Sequence, residues 1–450
     1  MAVEARNDYI ERVRTFLEHN DEGGLERFLS GLHASEIGRV LSGVSDEEAK
    51  YLFKLLDPES ASEAMLEVDE RLRKVLMSSI SSKELIEVVH EMETDDAADV
   101  ISELPVEDAR QVLEGIEDTA AVQKLLVYPE DTAGGKMQAE LVSVREDATV
   151  QDAIEAVRAR SEDIEHISNV FVVDSEKRLV GTVGLDKLIL ARPTTRIKEI
   201  ANREPMKVHT GLDQEEVAKI FQRYDLLSVP VVDSENRLVG RITIDDIVDV
   251  LEEEIFEDFY KMAGLNVEEG ALDPPLRSIW MRAPWLLVNL GTAFLAASVV
   301  KVFQGTIEKY VVLAVLMPIV AGMGGNAATQ AITVMVRGLA LGELSLKNAR
   351  RILVKESLVG LANGFMTGAI AALIAYMLGA NPIIGLLLFL AMTCNMVVAG
   401  LSGSLIPLVL KWFKVDPAIS SGIFVTTCTD IGGFFTFLGL ATLFIKAGVL

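Results

Sequence analysis

Residues 310–336 read Tyr310-Val-Val-Leu-Ala-Val-Leu-Met-Pro318-Ile-Val-Ala-Gly322-Met-Gly324-Gly325-Asn326-Ala-Ala-Thr329-Gln330-Ala-Ile-Thr-Val-Met-Val336. The run holds no Asp, Glu, Lys or Arg. It exceeds the ~20 residues with which a helix crosses the hydrocarbon core, so it predicts a membrane span. Four further apolar stretches, at 282–300, 353–378, 382–410 and 417–445, predict an all-α membrane domain of five helices. Within the first run, Pro318 and three closely spaced glycines admit two readings. Broken backbone there lines a cavity whose carbonyls meet cations or their water. Alternatively, the small residues let helices pack closely. Asn326, Thr329 and Gln330 at helical spacing tilt the balance toward pore lining.

The chain has 450 residues, 50% hydrophobic and 24% charged, with a net charge of −25. The charge is segregated. Residues 281–450 hold 11 of the 42 basic and 5 of the 67 acidic residues, about +6, which leaves about −31 on residues 1–280. A wholly soluble enzyme is excluded, and so is a nucleic-acid binder, because so acidic a half repels phosphate backbones. What remains is an acidic soluble body attached to a membrane domain. Cys394 and Cys428 lie inside apolar runs, so no disulfide framework is expected. The segment Met1–Glu26 lacks the basic start and apolar core of a secretory signal, which predicts a cytosolic soluble half.

An odd number of spans puts the chain ends on opposite sides of the membrane. Arg337, Lys347, Arg350, Arg351 and Lys355 between the second and third spans, and Lys411 with Lys414 between the fourth and fifth, mark the cytosolic face. The C-terminus is then outside, with Lys301, Lys309 and Lys446 as a smaller exception. Asp430 is the only Asp, Glu, Lys, Arg or His between Asp416 and Lys446. An acid at mid-bilayer costs ~2.5–3.5 kcal/mol on insertion scales and usually faces water. A structural Asp bonded by Thr426, Thr427 and Thr429 is the alternative; a cation site in a wet pore is favoured. The membrane half has no histidine, so oxygen ligands and a hard cation such as Mg2+ or Ca2+ are expected. One Asp per chain points to a symmetric dimer that pairs two copies of Asp430 around a hydrated ion.

Before residue 280 the strongest signal is a repeat. Val172-Val-Asp-Ser-Glu-Lys-Arg-Leu-Val-Gly181 recurs as Val231-Val-Asp-Ser-Glu-Asn-Arg-Leu-Val-Gly240. Each copy reads as strand, Asp-Ser-Glu turn and strand, with a helix before and after it. The pair resembles tandem cystathionine-β-synthase (CBS) motifs, an α/β regulatory module that commonly senses nucleotides or ions. In that family a Thr and an Asp after the second strand hold a ribose. The second copy keeps them as Thr243 and Asp246, whereas the first has Gly184 and Lys187, so ATP is an expectation for the second copy only. Asp246 is equally readable as a carboxylate at a helix N-terminus.

Residues 1–127 read as short amphipathic helices stacked in an α-superhelix. Ser45-Asp-Glu-Glu48 is a capping box, and Asp57-Pro58-Glu59, Leu104-Pro105 and Thr94-Asp95 are further starts. Asp245, Asp246, Asp249, Glu252, Glu253, Glu254, Glu257 and Asp258 crowd the segment that leads toward the membrane. That crowding is either a solvated face or a helix whose docking depends on divalent ions.

The whole layout resembles the MgtE family of magnesium channels. Three stretches carry the likeness: Glu130-Asp131-Thr-Ala-Gly134-Gly135-Lys-Met137, Pro318 to Gln330, and Val415-Asp416-Pro417 followed by Asp430. The resemblance implies a multidomain chain with an acidic α-superhelical N-domain at 1–127 and tandem CBS domains at 128–250, split at about 137–195 and 196–250. A connecting helix and linker at 251–278 and a transmembrane domain at 279–450 complete it. It implies a homodimeric Mg2+ channel in the cell membrane, with Asp430 binding hydrated Mg2+ near Asn326, Thr329 and the Gly324-Gly325 backbone. It further implies sensing carboxylates at Asp95, Asp99, Glu215, Asp225, Asp246, Asp249, Glu257, Asp258 and Asp416, which cytosolic Mg2+ bridges to close the path. A channel for Mn2+ or Co2+, a membrane-anchored sensor without transport, and an enzyme are the competing readings.

Overall fold

The computed structural model describes residues 2–116, 119–161, 164, 166–267, 269–271, 273–344, 348–419 and 421–450. Lys347 of the basic loop lies outside them. The chain forms two units, Met1–Leu251 and Glu252–Leu450.

The first unit opens with ten described helices, α1 to α10, between Ala2 and Leu125. Their starts are written in local chemistry. Ser45 caps α4 (Asp46–Phe53) reciprocally with Glu48, which accepts from the Ser45 amide at 2.9 Å. Asp57 accepts from the Ser60 amide at 3.0 Å, ahead of Pro58 in α5 (Pro58–Leu66). α3 (Ala34–Ser42) packs on α5, α5 on α7 (Ser82–His90), and α7 on α9 (Val106–Gly115), the stacking of a superhelix. Their apolar core, from Val13 through Leu76 and Ile101 to Leu125, continues into Phe221, Val231 and Val250 of the second CBS motif. That shared core is what brings the charged start of α8 (Thr94–Ser102) under cover.

Each repeat builds the same three-stranded sheet. In the first, β1 (Ser143–Arg145) runs parallel to β2 (Asn169–Val173), which pairs antiparallel with β3 (Leu179–Gly184). In the second, β4 (Val208–His209), β5 (Ser228–Val232) and β6 (Leu238–Thr243) repeat that order. The register slips at Val172/Val173 and again at Val231/Val232. The turns match as well: Asp174 accepts from the amides of Glu176 and Arg178, and Asp233 from those of Glu235 and Arg237, all at 2.8–2.9 Å. The helix after the second repeat and the start of the expected connecting segment at 251–278 are one element. α15 (Ile244–Ala263) is a single helix that starts directly after β6, because Thr243 and Asp246 form its N-terminal cap, and it ends at the left-handed Gly264.

In the second unit, α16 (Pro275–Val302), α18 (Val312–Ala340), α19 (Ala349–Met377), α20 (Pro382–Trp412) and α21 (Ser421–Lys446) are long and apolar enough to span a membrane. A short α17 (Gln304–Lys309) lies between the first two. α18 runs unbroken through Pro318 and Gly322–Gly325, so the break that these residues permit is not used. Close packing dominates instead, most clearly between α19 and α20. Gly360, Gly364 and Gly368, four residues apart, face the α20 backbone, and a Cβ at Gly364 would stand 2.7 Å from the Thr393 Cα.

Candidate cation sites

The start of α8 is tied down from outside its own helix. Thr94 Oγ1 accepts from the Ala139 amide at 2.9 Å and donates to Glu140 Oε2 at 2.7 Å. This leaves Glu93, Asp95 and Asp96, at the cap and first turn of α8, facing the second CBS motif. One oxygen from each lies within 4.8 Å of the others. Gln138 Nε2 donates to Glu93 Oε2 at 2.5 Å and to Asp246 Oδ2 at 3.3 Å, so Asp246 joins the group from α15. Arg241 lies 4.0 Å from Glu93.

The electrostatics follow from that crowding. Asp95 is 7% exposed, and burial together with the charges of Asp96, Asp246 and Glu93 holds its pKa well above the carboxylate range. Burial, against the pull of Arg241, lifts Glu93 to about 8. Asp96 rises to about 7 through burial and the charges of Asp246 and Asp99, and Asp246 to about 6 through burial, which the Thr243 bonds oppose. Glu93 Oε1 and Asp95 Oδ1 are buried without a hydrogen-bond donor. An all-oxygen, net-negative pocket of this kind suits a hard divalent cation, whose charge would restore the ionised forms.

Four of the expected sensing residues converge here. Asp95 and Asp246 lie in the group, and the charges of Asp99 and Asp249 act on Asp96. Glu93 and Asp96 were missed, because acids at a helix start read as partners of its dipole. Glu215 is instead paired with Lys219 on its own helix at 2.9 Å, and Asp225 is an exposed left-handed cap, φ 49°, of α14 (Gln214–Tyr224). Thr243 donates through Oγ1 to Asp246 at 2.7 Å, the helix-start reading of that carboxylate.

In the second unit, Lys261 stands between two expected sensing acids. It bonds Asp416 at 2.8 Å and also Glu257, and these bonds outweigh the effect of burial and raise its pKa. Asp258 is next on the same helix. Among the spans, Asp430 is half-buried on α21, and no described side chain hydrogen-bonds its carboxylate. The threonines proposed to satisfy it are engaged elsewhere: Thr426, Thr427 and Thr429 donate to the carbonyls of Gly422, Ile423 and Thr426 at 2.7–2.9 Å. α21 meets α18 where Gly325 faces Thr426, whose Cγ2 is 4.0 Å from the place of a Cβ. Asn326 and Thr329 are exposed on α18, and Thr329 donates to the Gly325 carbonyl at 3.0 Å. Gly324 turns the other way and is buried against Asn395 of α20. A second intramembrane acid, Glu356 on α19, was also missed. It is 6% exposed and bonded by Lys355 at 2.8 Å.

A helical acidic domain fused to a CBS pair and to five spans, one of them with an unsatisfied acid, defines a multi-pass membrane protein of the divalent-cation transporter class. Family models agree: MgtE, divalent cation transporter, matches residues 317–440; the MgtE intracellular N domain matches 32–131; and the CBS domain matches 133–193 and 197–253. The chain belongs to the MgtE family. It is 32% identical over 401 residues to the magnesium transporter MgtE of Bacillus subtilis, covering 89% of each chain. Against those of Enterococcus faecalis and Thermus thermophilus it is 36% identical, with 73% of each chain covered. Two solved structures resemble it. The soluble part of a magnesium transporter shares 28% identity at a TM-score of 0.50, over 55% of this chain and 99% of that one. The cytosolic domain of the Mg2+ channel MgtE in complex with ATP shares 32% at a TM-score of 0.51, over 54% and 99%. Membership sets the enzyme reading aside.

Proposed function

We propose that the protein is an Mg2+-selective channel of the cell membrane that works as a homodimer, admits Mg2+ down the membrane potential and is closed by cytosolic Mg2+. The observation that carries the regulated half of this reading is the buried meeting of Glu93, Asp95 and Asp96 with Asp246, where acids from the N-domain and the second CBS motif outnumber the cations beside them. With Mg2+ high, the ion lets these carboxylates ionise in place and the domains pack. With Mg2+ low, like charges face one another and the packed state loses population. The same logic extends along α15 to Glu257, Asp258 and Asp416, whose docking would set the gate.

For the path itself, Asp430 is the residue that binds, with Gly325, Asn326 and Thr329 on the neighbouring α18 holding the hydration water. Two symmetry-related copies of Asp430 give a hydrated divalent ion the charge that one chain lacks. Inward movement gains ~2.3 kcal/mol per elementary charge per 100 mV, and twice that for Mg2+, so no hydrolysis is required. The N-terminal domains are cytosolic and the C-terminus is outside. ATP belongs to the same proposal as a ligand of the second CBS motif at Thr243 and Asp246, supported by the ATP complex of the similar cytosolic domain.

The test is uptake by the purified protein in liposomes, with internal Mg2+ set low and then high. Uptake should be fast at low internal Mg2+ and suppressed at high, and Asp430→Ala should abolish it. Uptake unchanged in the folded, inserted variant refutes the site, and equal flux of Mn2+ or Co2+ in competition refutes the selectivity.

A further inference from the structure

We propose that Asn395 is a positioning residue of the cation path: its carboxamide, wedged between α18 and α21, sets the separation of the two helices that carry Gly325, Asn326 and Asp430. Asn395 sits on α20, 1% exposed, among the apolar residues that fill the second unit. Its Nδ2 donates to the Val320 carbonyl of α18 at 2.9 Å. Glycines on both neighbouring helices make room for it. A Cβ at Gly433 of α21 would stand 2.7 Å from Nδ2 and 3.0 Å from Cγ, and a Cβ at Gly324 of α18 would stand 2.9 Å from the same Cγ. One amide therefore occupies notches cut in two helices, one residue before Gly325 and three after Asp430.

The group acts as a donor and not merely as volume. Turning the amide over would set Oδ1 against the Val320 oxygen, and Oδ1 has no donor in the described structure. A buried amide with one oxygen unsatisfied at membrane depth is an expensive spacer, and an apolar side chain beside two alanines would fill the volume at lower cost. Its presence is explained if the separation of α18 and α21 must be held by a directed bond. The effect on flux rests on the cation-path reading; the effect on helix separation does not.

Two measurements on the full-length protein in liposomes test this. In a background with Cys394→Ala and Cys428→Ala, cysteines introduced by Gly325→Cys and Thr426→Cys should cross-link quickly under mild oxidation. Adding Asn395→Ala should slow that cross-linking by roughly three- to fifteenfold, the population change that one interhelical bond in a membrane supports. Separately, Asn395→Asp should show a pH-dependent flux. A protonated carboxyl donates to Val320 as the amide does and an ionised one does not, so Mg2+ uptake relative to the native protein at the same pH should be near native in acid and fall as pH rises. Recovery in acid also shows that the variant is folded. Cross-linking unchanged by Asn395→Ala overturns the proposal whatever happens to flux. A pH ratio for Asn395→Asp that is flat and far below native in a folded, inserted protein overturns the donor role, whereas a flat ratio near native means that the buried carboxyl stays protonated and donates throughout. If Asp430→Ala leaves uptake intact, the cation path is elsewhere, and slowed cross-linking still supports the spacing role.

Discussion

Raising the pH without divalent cations should loosen the contact between α8 and the second CBS motif, and Mg2+ should restore it. The sign follows from the direction of the shifts. Asp246 at about 6, Asp96 at about 7 and Glu93 at about 8 all lie above their ordinary values of 3.8, 3.8 and 4.5. The packed state therefore holds more protons than the open one between about pH 4 and 8. Its stability is full below the ordinary carboxylate range and is lost as pH rises toward the packed-state values. For Asp96 alone, the distance from 3.8 to about 7 corresponds to ~4 kcal/mol at 1.36 kcal/mol per pH unit, or about a thousandfold in the opening equilibrium. The acids share one another's fields, so the contributions do not add, and this figure sets the order of magnitude for the group. Hydrogen exchange of the Thr94–Ser102 amides in the full-length protein, corrected for intrinsic rates, reads this equilibrium directly. Protection should fall between pH 5 and 8 without Mg2+ and recover at pH 8 when Mg2+ is added. Asp96→Asn should reduce both responses, with Glu93, Asp95 and Asp246 carrying what remains. Protection that is constant across that range, or a Mg2+ response unaltered in the variant, would refute the account.

Neutralising Asp246, Asp249, Glu257 and Asp258 together should weaken the inhibition of uptake by internal Mg2+ while leaving uptake at low Mg2+ in place; inhibition at the native concentration would remove these residues from the sensor. Gly364→Ala should lower the thermal stability of the detergent-solubilised protein by on the order of 1–3 kcal/mol, since the added Cβ meets the Thr393 backbone at 2.7 Å. Gly305→Ala, where nothing lies within 4 Å, is the control and should stay within about 0.5 kcal/mol. Equal melting of the two variants would mean that the α19–α20 contact is looser than described.

What was legible in the sequence was local. The repeated Asp-Ser-Glu turns fold through bonds between each Asp and amides two and four residues away, so the two sheets were readable from ten residues each. The five spans were readable because apolar length alone decides them. Pairings across long separations were not. Glu93 looks like an ordinary helix-start acid until Gln138 bonds it from 45 residues away, and so does Asp96 until the charge of Asp246 acts on it. The glycines of α18 allowed a broken backbone or close packing; α18 stays helical, and at Gly324 the room of a Cβ is taken by Asn395, whose bond to Val320 spans 75 residues. One amide in an apolar run carries no pattern that announces such a role. The division at 251 falls inside α15, because a change from CBS motif to charged linker in composition is no break in an α-helix, which continues while its cap and its hydrogen bonds do.

The acids of this chain divide by the cations that the chain itself supplies. Glu215 has Lys219, and Glu257 and Asp416 share Lys261, each within hydrogen-bond reach. At those places a tethered ammonium already neutralises the charge, so a metal ion must displace a lysine to bind and gains only the difference. Around Asp96 the balance is reversed: Arg73 and Arg241 oppose at least Glu93, Asp95, Asp96 and Asp246, and the shortfall appears as raised pKa values. A divalent ion entering there replaces protons, which are scarce near neutral pH, and not a covalently attached competitor present at high local concentration. On the proposed function, the α8 group should accordingly fill first as Mg2+ is raised, with the Lys261 contact following. On that order, packing of the first unit precedes any rearrangement where the connecting helix meets Asp416.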